Sequence, residues 1–281
     1  MKLRYNIKLA GILLIGAAAF LTACEEEMDL DLPQKESQLV VDGWITDQAG
    51  EHAVTLSYSA PFLGDQGFTY VKGASVTISG GEGEPEMLQE RADGRYVTSP
   101  QFRAEAGTTY TLNIKFDDQE YEAKTIVKRP LEIDSLTVVY HKKSVLKDEG
   151  HYVLFYGQEP AGDIADFYRF KVFKNDTLMN RAKDLVVTDD KYVNGNYLRE
   201  VEFHGDPFKK DDRIRLETWS LSEQAYTFLR EMNIQINKGG MFDSPYANIP
   251  TNVVDKKNPS NKNVRGFFGA AAVRTRSVVV K

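Results

Sequence analysis

The sequence predicts an all-β protein: an N-terminal immunoglobulin-like or transthyretin-like sandwich, followed by a second β-rich domain with one amphipathic helix. Three observations carry this reading. Apolar residues alternate with a period of two in one short segment after another. Gly, Pro, Asn and Asp clusters separate those segments. Among 281 residues, only the stretch near 221–237 shows sustained helical spacing. The 14 tyrosines and 15 phenylalanines point the same way, because aromatic side chains suit a pleated, half-buried surface.

The chain opens with an export segment. Lys2, Arg4 and Lys8 precede an apolar run over residues 9–20, too short for the roughly 20 residues that cross about 30 Å of hydrocarbon. With the small-residue site Leu21-Thr22-Ala23, residues 1–23 read as a signal peptide. Cys24 is the only cysteine, so it has no disulfide partner within the chain. Glu25, Glu26 and Glu27, then Asp29 and Asp31, begin a tether over residues 24–37 that its own repulsion keeps extended.

Strand signals follow in order. Leu39, Val41, Gly43 and Ile45 alternate with Val40, Asp42, Trp44 and Thr46; Val54, Leu56 and Tyr58 alternate with Thr55, Ser57 and Ser59. Val76 and Ile78 mark a third strand, and Asp93-Gly94 predicts a hairpin pairing residues 86–91 with 95–99. Tyr110, Leu112, Ile114 and Phe116 form one face of the longest strand. After Asp117-Asp118-Gln119, Tyr121, Ala123, Thr125 and Val127 return. Pro130 marks a boundary that divides a sandwich at 38–129 from a second domain at 130–281.

The second half predicts strands at 133–141, 152–158, 167–174, 185–188, 197–203 and 213–219. Leu221, Ala225, Phe228, Leu229, Met232 and Ile236 then recur at three and four, the period of a helix with one apolar face. Ser220 with Glu223 reads as its capping box and Gly239-Gly240 as its stop. Residues 266–273 and 274–281 are expected to pair as a closing hairpin.

Charge and motifs exclude several function classes. Removing residues 1–23 leaves 32 basic against 41 acidic side chains, and so acidic a body is unsuited to nucleic acid. The four histidines, His52, His141, His151 and His204, show no metal-ligand spacing, although His141 and His151 could meet across a hairpin. No metal site and no cofactor is expected. Asp189-Asp190 and Asp211-Asp212 are adjacent pairs whose members point to opposite faces of a strand, so no catalytic residue is assigned. Asp117-Asp118 reads as a self-satisfied turn in preference to a calcium site. The binding candidates are Phe62, Phe68 and Tyr70, in a glycine-rich loop, and Phe242 and Tyr246, in a long segment rich in Gly, Pro and Asn.

Leu21-Thr22-Ala23-Cys24 resembles the lipobox of bacterial lipoproteins, which implies cleavage before Cys24 and acylation of its thiol and new amine, a palmitate-type anchor. The acids after it resemble the signal that sends Bacteroidetes lipoproteins to the outer face of the outer membrane. Together with Leu39-Val40-Val41-Asp42-Gly43-Trp44-Ile45-Thr46, Val71-Lys72-Gly73-Ala74-Ser75-Val76, Ala106-Gly107-Thr108-Thr109-Tyr110 and Gly266-Phe267-Phe268-Gly269-Ala270, they make the chain similar to the Bacteroidetes lipoprotein family known as domain of unknown function 4249. Association of that family with TonB-dependent receptors implies a non-enzymatic accessory role, binding a glycan or peptide or docking on a receptor. A surface carbohydrate or peptide hydrolase and a structural or adhesive module are the alternatives, as is attachment at the periplasmic face. Asp134-Ser135-Leu136 and Asp176-Thr177-Leu178 resemble the Bacteroidetes O-glycosylation motif, which would modify Ser135 and Thr177.

Overall fold

The computed structural model describes residues 37–60, 69–81, 83–238, 247–260 and 263–281. The signal peptide, Cys24, Glu25, Glu26, Glu27, Phe62, Phe68, Gly239-Gly240, Phe242 and Tyr246 lie outside the described residues. In chain order the first half forms β1 (Leu39–Thr46), β2 (Ala53–Tyr58), β3 (Thr69–Tyr70), β4 (Ser75–Gly80), β5 (Glu86–Met87), β6 (Gln89–Glu90), β7 (Arg95–Val97), β8 (Thr109–Phe116) and β9 (Gln119–Ile126). The second half adds β10 (Ser135–His141), β11 (Gly150–Gln158), β12 (Phe167–Lys174), β13 (Thr177–Leu178), β14 (Val186–Asp189), β15 (Tyr197–Glu202) and β16 (Arg213–Leu221). Helix α1 (Glu223–Ile236) follows, and β17 (Val253–Asp255), β18 (Val264–Ala271) and β19 (Val273–Val279) close the chain.

The protein is all-β, with one α-helix among the described residues. Local sequence explains the strands: β8 buries Tyr110, Leu112, Ile114 and Phe116 and leaves the alternate residues half-exposed or exposed. Asp93 and Gly94 both adopt positive φ, as the turn that brings β6 back against β7 requires. Two sheets, ordered β18-β1-β2-β7-β6 and β17-β9-β8-β4-β5, contribute to one core through Val41, Ile45 and Leu56 on one side and Val76, Leu112 and Ile114 on the other. Two further sheets, β10-β11-β15 and β13-β12-β16-β19, enclose a second core of Phe155, Phe170, Val172, Ile214 and Leu216.

The closing hairpin does not form. Strand β18 instead runs parallel to β1, from Leu39 opposite Val264 to Thr46 opposite Ala271, and β19 lies antiparallel to β16. The physical reason is visible in composition: a tight hairpin needs turn residues, and no Gly, Pro, Asn or Asp stands between Gly269 and Lys281. Ala272 alone separates the strands, so the chain steps directly from one sheet to another.

Nor does Pro130 mark a free joint. Val253, Val264, Phe268, Ala270 and Ala272 complete the first core, so the C-terminal residues cross the expected boundary and return. The connecting segment is also fastened to β16, where Thr218 Oγ1 donates to Leu131 O at 2.7 Å and Ser220 Oγ donates to Lys128 O at 2.9 Å. Residues 37–281 accordingly form a single compact unit.

Helix α1 is capped two residues later than its sequence signature suggests. Ser222 is the N-cap, accepting from Ala225 N–H at 3.1 Å, whereas Ser220 is the buried end of β16 and accepts from Ala272 N–H at 2.9 Å. Ala225 and Leu229 are buried against Leu185, Leu221 and Phe267, with Trp44 at the edge. The helix thus covers the corner where sheets of both sandwiches meet. No helix among the described residues is long and apolar enough to cross a membrane.

Candidate functional site

Tyr70, the one candidate aromatic within the described residues, lies in β3, pairs with Ser57 and is half-buried over the turn at Gly94, where a Cβ would lie 2.9 Å from Tyr70 Cβ. It packs structure in place. Ser135 is half-buried at the start of β10, whereas Thr177 is exposed at the tight turn between β12 and β13. His151 sits opposite Tyr140 and His141 opposite Gly150, which places the two histidines on opposite faces of the β10–β11 pair, so they share no metal. Asp212 is buried and accepts from Lys209 N–H, Asn175 Nδ2 and Lys174 Nζ at 2.8–3.0 Å, a structural role.

Asp184 has a similar role and a measurable consequence. Its carboxylate accepts from Arg181 N–H, Nε and Nη2 at 2.8–2.9 Å and meets His204 Nε2 at 3.2 Å. Burial pushes the carboxyl up, but the Arg181 and His204 hydrogen bonds more than offset it and hold the group at about 2, below its ordinary 3.8. Because the folded value lies below the unfolded one, this stabilisation is complete above about pH 4–5 and is lost as pH falls toward 2. Asp184→Asn is expected to cost about 2 kcal/mol or less at pH 7, since Arg181 is half-exposed and screened. Urea unfolding at pH 7 and pH 3 checks this, the deficit shrinking at the lower pH.

The arrangement that does not resolve into ordinary structure lies at three strand ends. Glu159 follows β11, Asp166 precedes β12 and Asp190 follows β14. Phe167 pairs with Asp189, so Asp166 and Asp190 face each other one step beyond the ladder, and Asp190 N–H donates to Asp166 O at 3.0 Å. Glu159 N–H donates to Asn196 O at 3.1 Å. Gly162 and Asn194 exchange two hydrogen bonds, 3.0 and 2.6 Å, between the same two loops.

The three carboxylates are 0–2 % exposed, with one oxygen from each lying within 4.8 Å of the others. Asp166 Oδ2 is paired with Arg129, whose Nε lies at 2.7 Å and Nη2 at 2.5 Å. Glu159 is held by neutral donors, Tyr168 Oη at 2.9 Å and Gly195 N–H at 2.5 Å. Burial raises the Tyr168 hydroxyl far above its ordinary value, with the negative charge of Asp166 and Glu159 adding to the effect, so it stays a donor. Asp190 Oδ2 is buried without a hydrogen-bond partner. No metal ligand was expected from the sequence; these three residues form an oxygen-only set closed to any bulky substrate.

Beside the cluster lies a cavity of about 560 Å³. Ala106, Gly107 and residues 126–129 form one side, Gly162, Asp163, Ile164 and Asp166 the other. Arg129 and Asp166 belong to both cavity and cluster. Farther along, the outer faces of β1 and β16 meet at half-buried Trp44 and Trp219, with ring centroids 6.0 Å apart. Lys171 Nζ stands 4.0 Å above the Trp219 ring. Burial, reinforced by the like charge of Arg169, pushes the Lys171 amine down to about 8. Trp44 was legible as a half-buried strand residue, but its partner across the seam was not.

The chain is therefore an all-β protein of two interleaved sandwiches. It belongs to the family described as domain of unknown function 4249, whose profile matches residues 25–277. No curated protein matches it.

Proposed function

We propose that the protein is a lipid-anchored outer-membrane binding protein, held through Cys24 at the cell surface, that captures a glycan or peptide or docks on a TonB-dependent receptor as an accessory to uptake. The observation that carries the capture reading is the cavity of about 560 Å³ between residues 106–129 and 162–166. Its size falls in the range of about 300–1,000 Å³ used for small ligands, and it combines apolar Ile126, Val127 and Ile164 with charged Lys128, Arg129 and Asp163. Ile126 ends β9, whereas the rest of the lining lies in connecting segments, the wall of residues 162–166 in the loop between β11 and β12. The lipobox and the acids after it support anchoring and surface export.

Two measurements test the reading. Cys24→Ala is expected to abolish incorporation of labelled palmitate and to shift the protein from the membrane to the soluble fraction. Native protein cross-linked on intact cells and purified in mild detergent is expected to retain an outer-membrane receptor, with Ile164→Trp, which fills the cavity mouth, reducing recovery several-fold. Unchanged fractionation of Cys24→Ala, or equal recovery by both proteins, would count against the anchor or the cavity respectively.

A further inference from the structure

We propose that Glu159, Asp166 and Asp190 bind a calcium ion that locks the loop between β11 and β12 to the loop following β14. The proposal stands apart from the anchoring and capture reading; of the three carboxylates, only Asp166 also belongs to the cavity wall.

Two independent observations point to a cation. The first is geometric: ligand oxygens at 2.3–2.6 Å from one calcium lie at most about 5 Å apart, and one oxygen from each of the three carboxylates falls within 4.8 Å of the others. The second is an unmet need. Asp190 is 2 % exposed and its Oδ2, sealed from solvent, has no hydrogen-bond partner, whereas buried carboxylates ordinarily find a donor, a counter-ion or a metal. Arg129 reaches Asp166 alone, leaving Glu159 to neutral donors and Asp190 to none.

The donor chemistry selects the ion. All three side chains offer hard oxygen, without the imidazole or thiolate that favours zinc or copper. Magnesium keeps several waters and seldom occupies a sealed protein cage, while calcium accepts irregular all-oxygen surroundings. The scaffold is already joined by the Glu159–Asn196, Asp166–Asp190 and Gly162–Asn194 hydrogen bonds, so the ion would bind a prepared frame. Asp166 also lines the neighbouring cavity, so calcium would stiffen one of its walls.

The test uses the full chain in mild detergent, stripped with EDTA and titrated with calcium or magnesium chloride to about 5 mM, above the range typical of extracellular calcium modules. Equilibrium dialysis is expected to find one calcium per chain, and Tm to rise by roughly 2–9 °C at that concentration for a Kd of about 0.1–1 mM. Magnesium is expected to give a smaller rise. Asp190→Asn should lose both binding and shift, yet melt without metal at or above the parent's temperature because a buried unpartnered charge is gone. Asp117→Asn with Asp118→Asn, in an exposed turn, should keep both. Failure of the parent to bind calcium or shift its Tm overturns the proposal. Full retention of binding in Asp190→Asn overturns it equally, and Glu159→Gln decides the matter should Asp190→Asn not fold.

Discussion

A fragment ending at Arg129 is expected to show no cooperative unfolding transition, although it contains every strand that the sequence assigns to the first sandwich. The fragment lacks Val253, Val264, Phe268, Ala270 and Ala272, all buried in the first core. Phe268 is fully buried, and each large apolar side chain of this kind contributes about 1.5–3 kcal/mol. Lost together with the packing around them, these residues remove a large part of the roughly 5–15 kcal/mol that separates a folded domain from its unfolded chain. The cut also strips β1 of its parallel partner along the whole of Leu39–Thr46, leaving an unpaired edge of Val, Ile and Trp that invites aggregation. Circular dichroism and amide exchange on residues 37–129 check this, and a peptide of residues 253–272 added in trans is expected to restore protection in β1. A sharp thermal transition from the fragment alone would show that the returning strands are dispensable.

That dependence explains which parts of the fold were legible. Period-two alternation is a local property, so β1, β2, β8, β9, β12 and β16 could be read directly, as could α1 from its change of period. Pairing between distant strands is not local. The β18 segment reads equally well as half of a hairpin until one notices that Gly269 to Lys281 offers nothing to make the turn. Buried residues along β18, Phe267 to Ala271 without interruption, carried a second signal, because a strand buried on both faces belongs inside a structure and not on a closing edge.

The carboxylate cluster was hidden for the same reason. Glu159, Asp166 and Asp190 match no metal-binding spacing, and Asp190 looks like half of an unremarkable acidic pair. Only the antiparallel register of β12 with β14 sets Asp166 opposite Asp190, and the hydrogen bonds of Glu159 with Asn196 and Gly195 bring the end of β11 to them. The adjacent Asp189 diverges, its Oδ2 lying 3.5 Å from Tyr226 Oη, which agrees with the expectation that neighbours on a strand part company. What the sequence could have offered was weaker: three acids each placed at the end of an apolar strand, where side chains from different strands can converge.

Gly266→Ala is expected to be the most damaging single substitution in β18, costing more than about 4 kcal/mol and leaving the protein largely insoluble. Gly266 has φ +88° and lies opposite Val41 in the parallel pair. A Cβ there would stand 1.9 Å from Val41 O, 2.7 Å from Val41 C and 2.8 Å from Val41 N, all backbone atoms that no rotamer change can move. Left-handed φ by itself costs a non-glycine residue about 1–2 kcal/mol; the remainder comes from forcing β18 away from β1 and loosening Phe268 and Ala270 in the core. Gly107→Ala separates the two contributions, because Gly107 has φ +84° but no atom within 4 Å of its added Cβ. It should lose only the backbone part, about 1–2 kcal/mol, and remain soluble. Urea unfolding of both variants gives the comparison: equal losses would mean that β18 does not approach β1 this closely, whereas a gap of several kcal/mol places the clash at the strand that returns to complete the first sandwich.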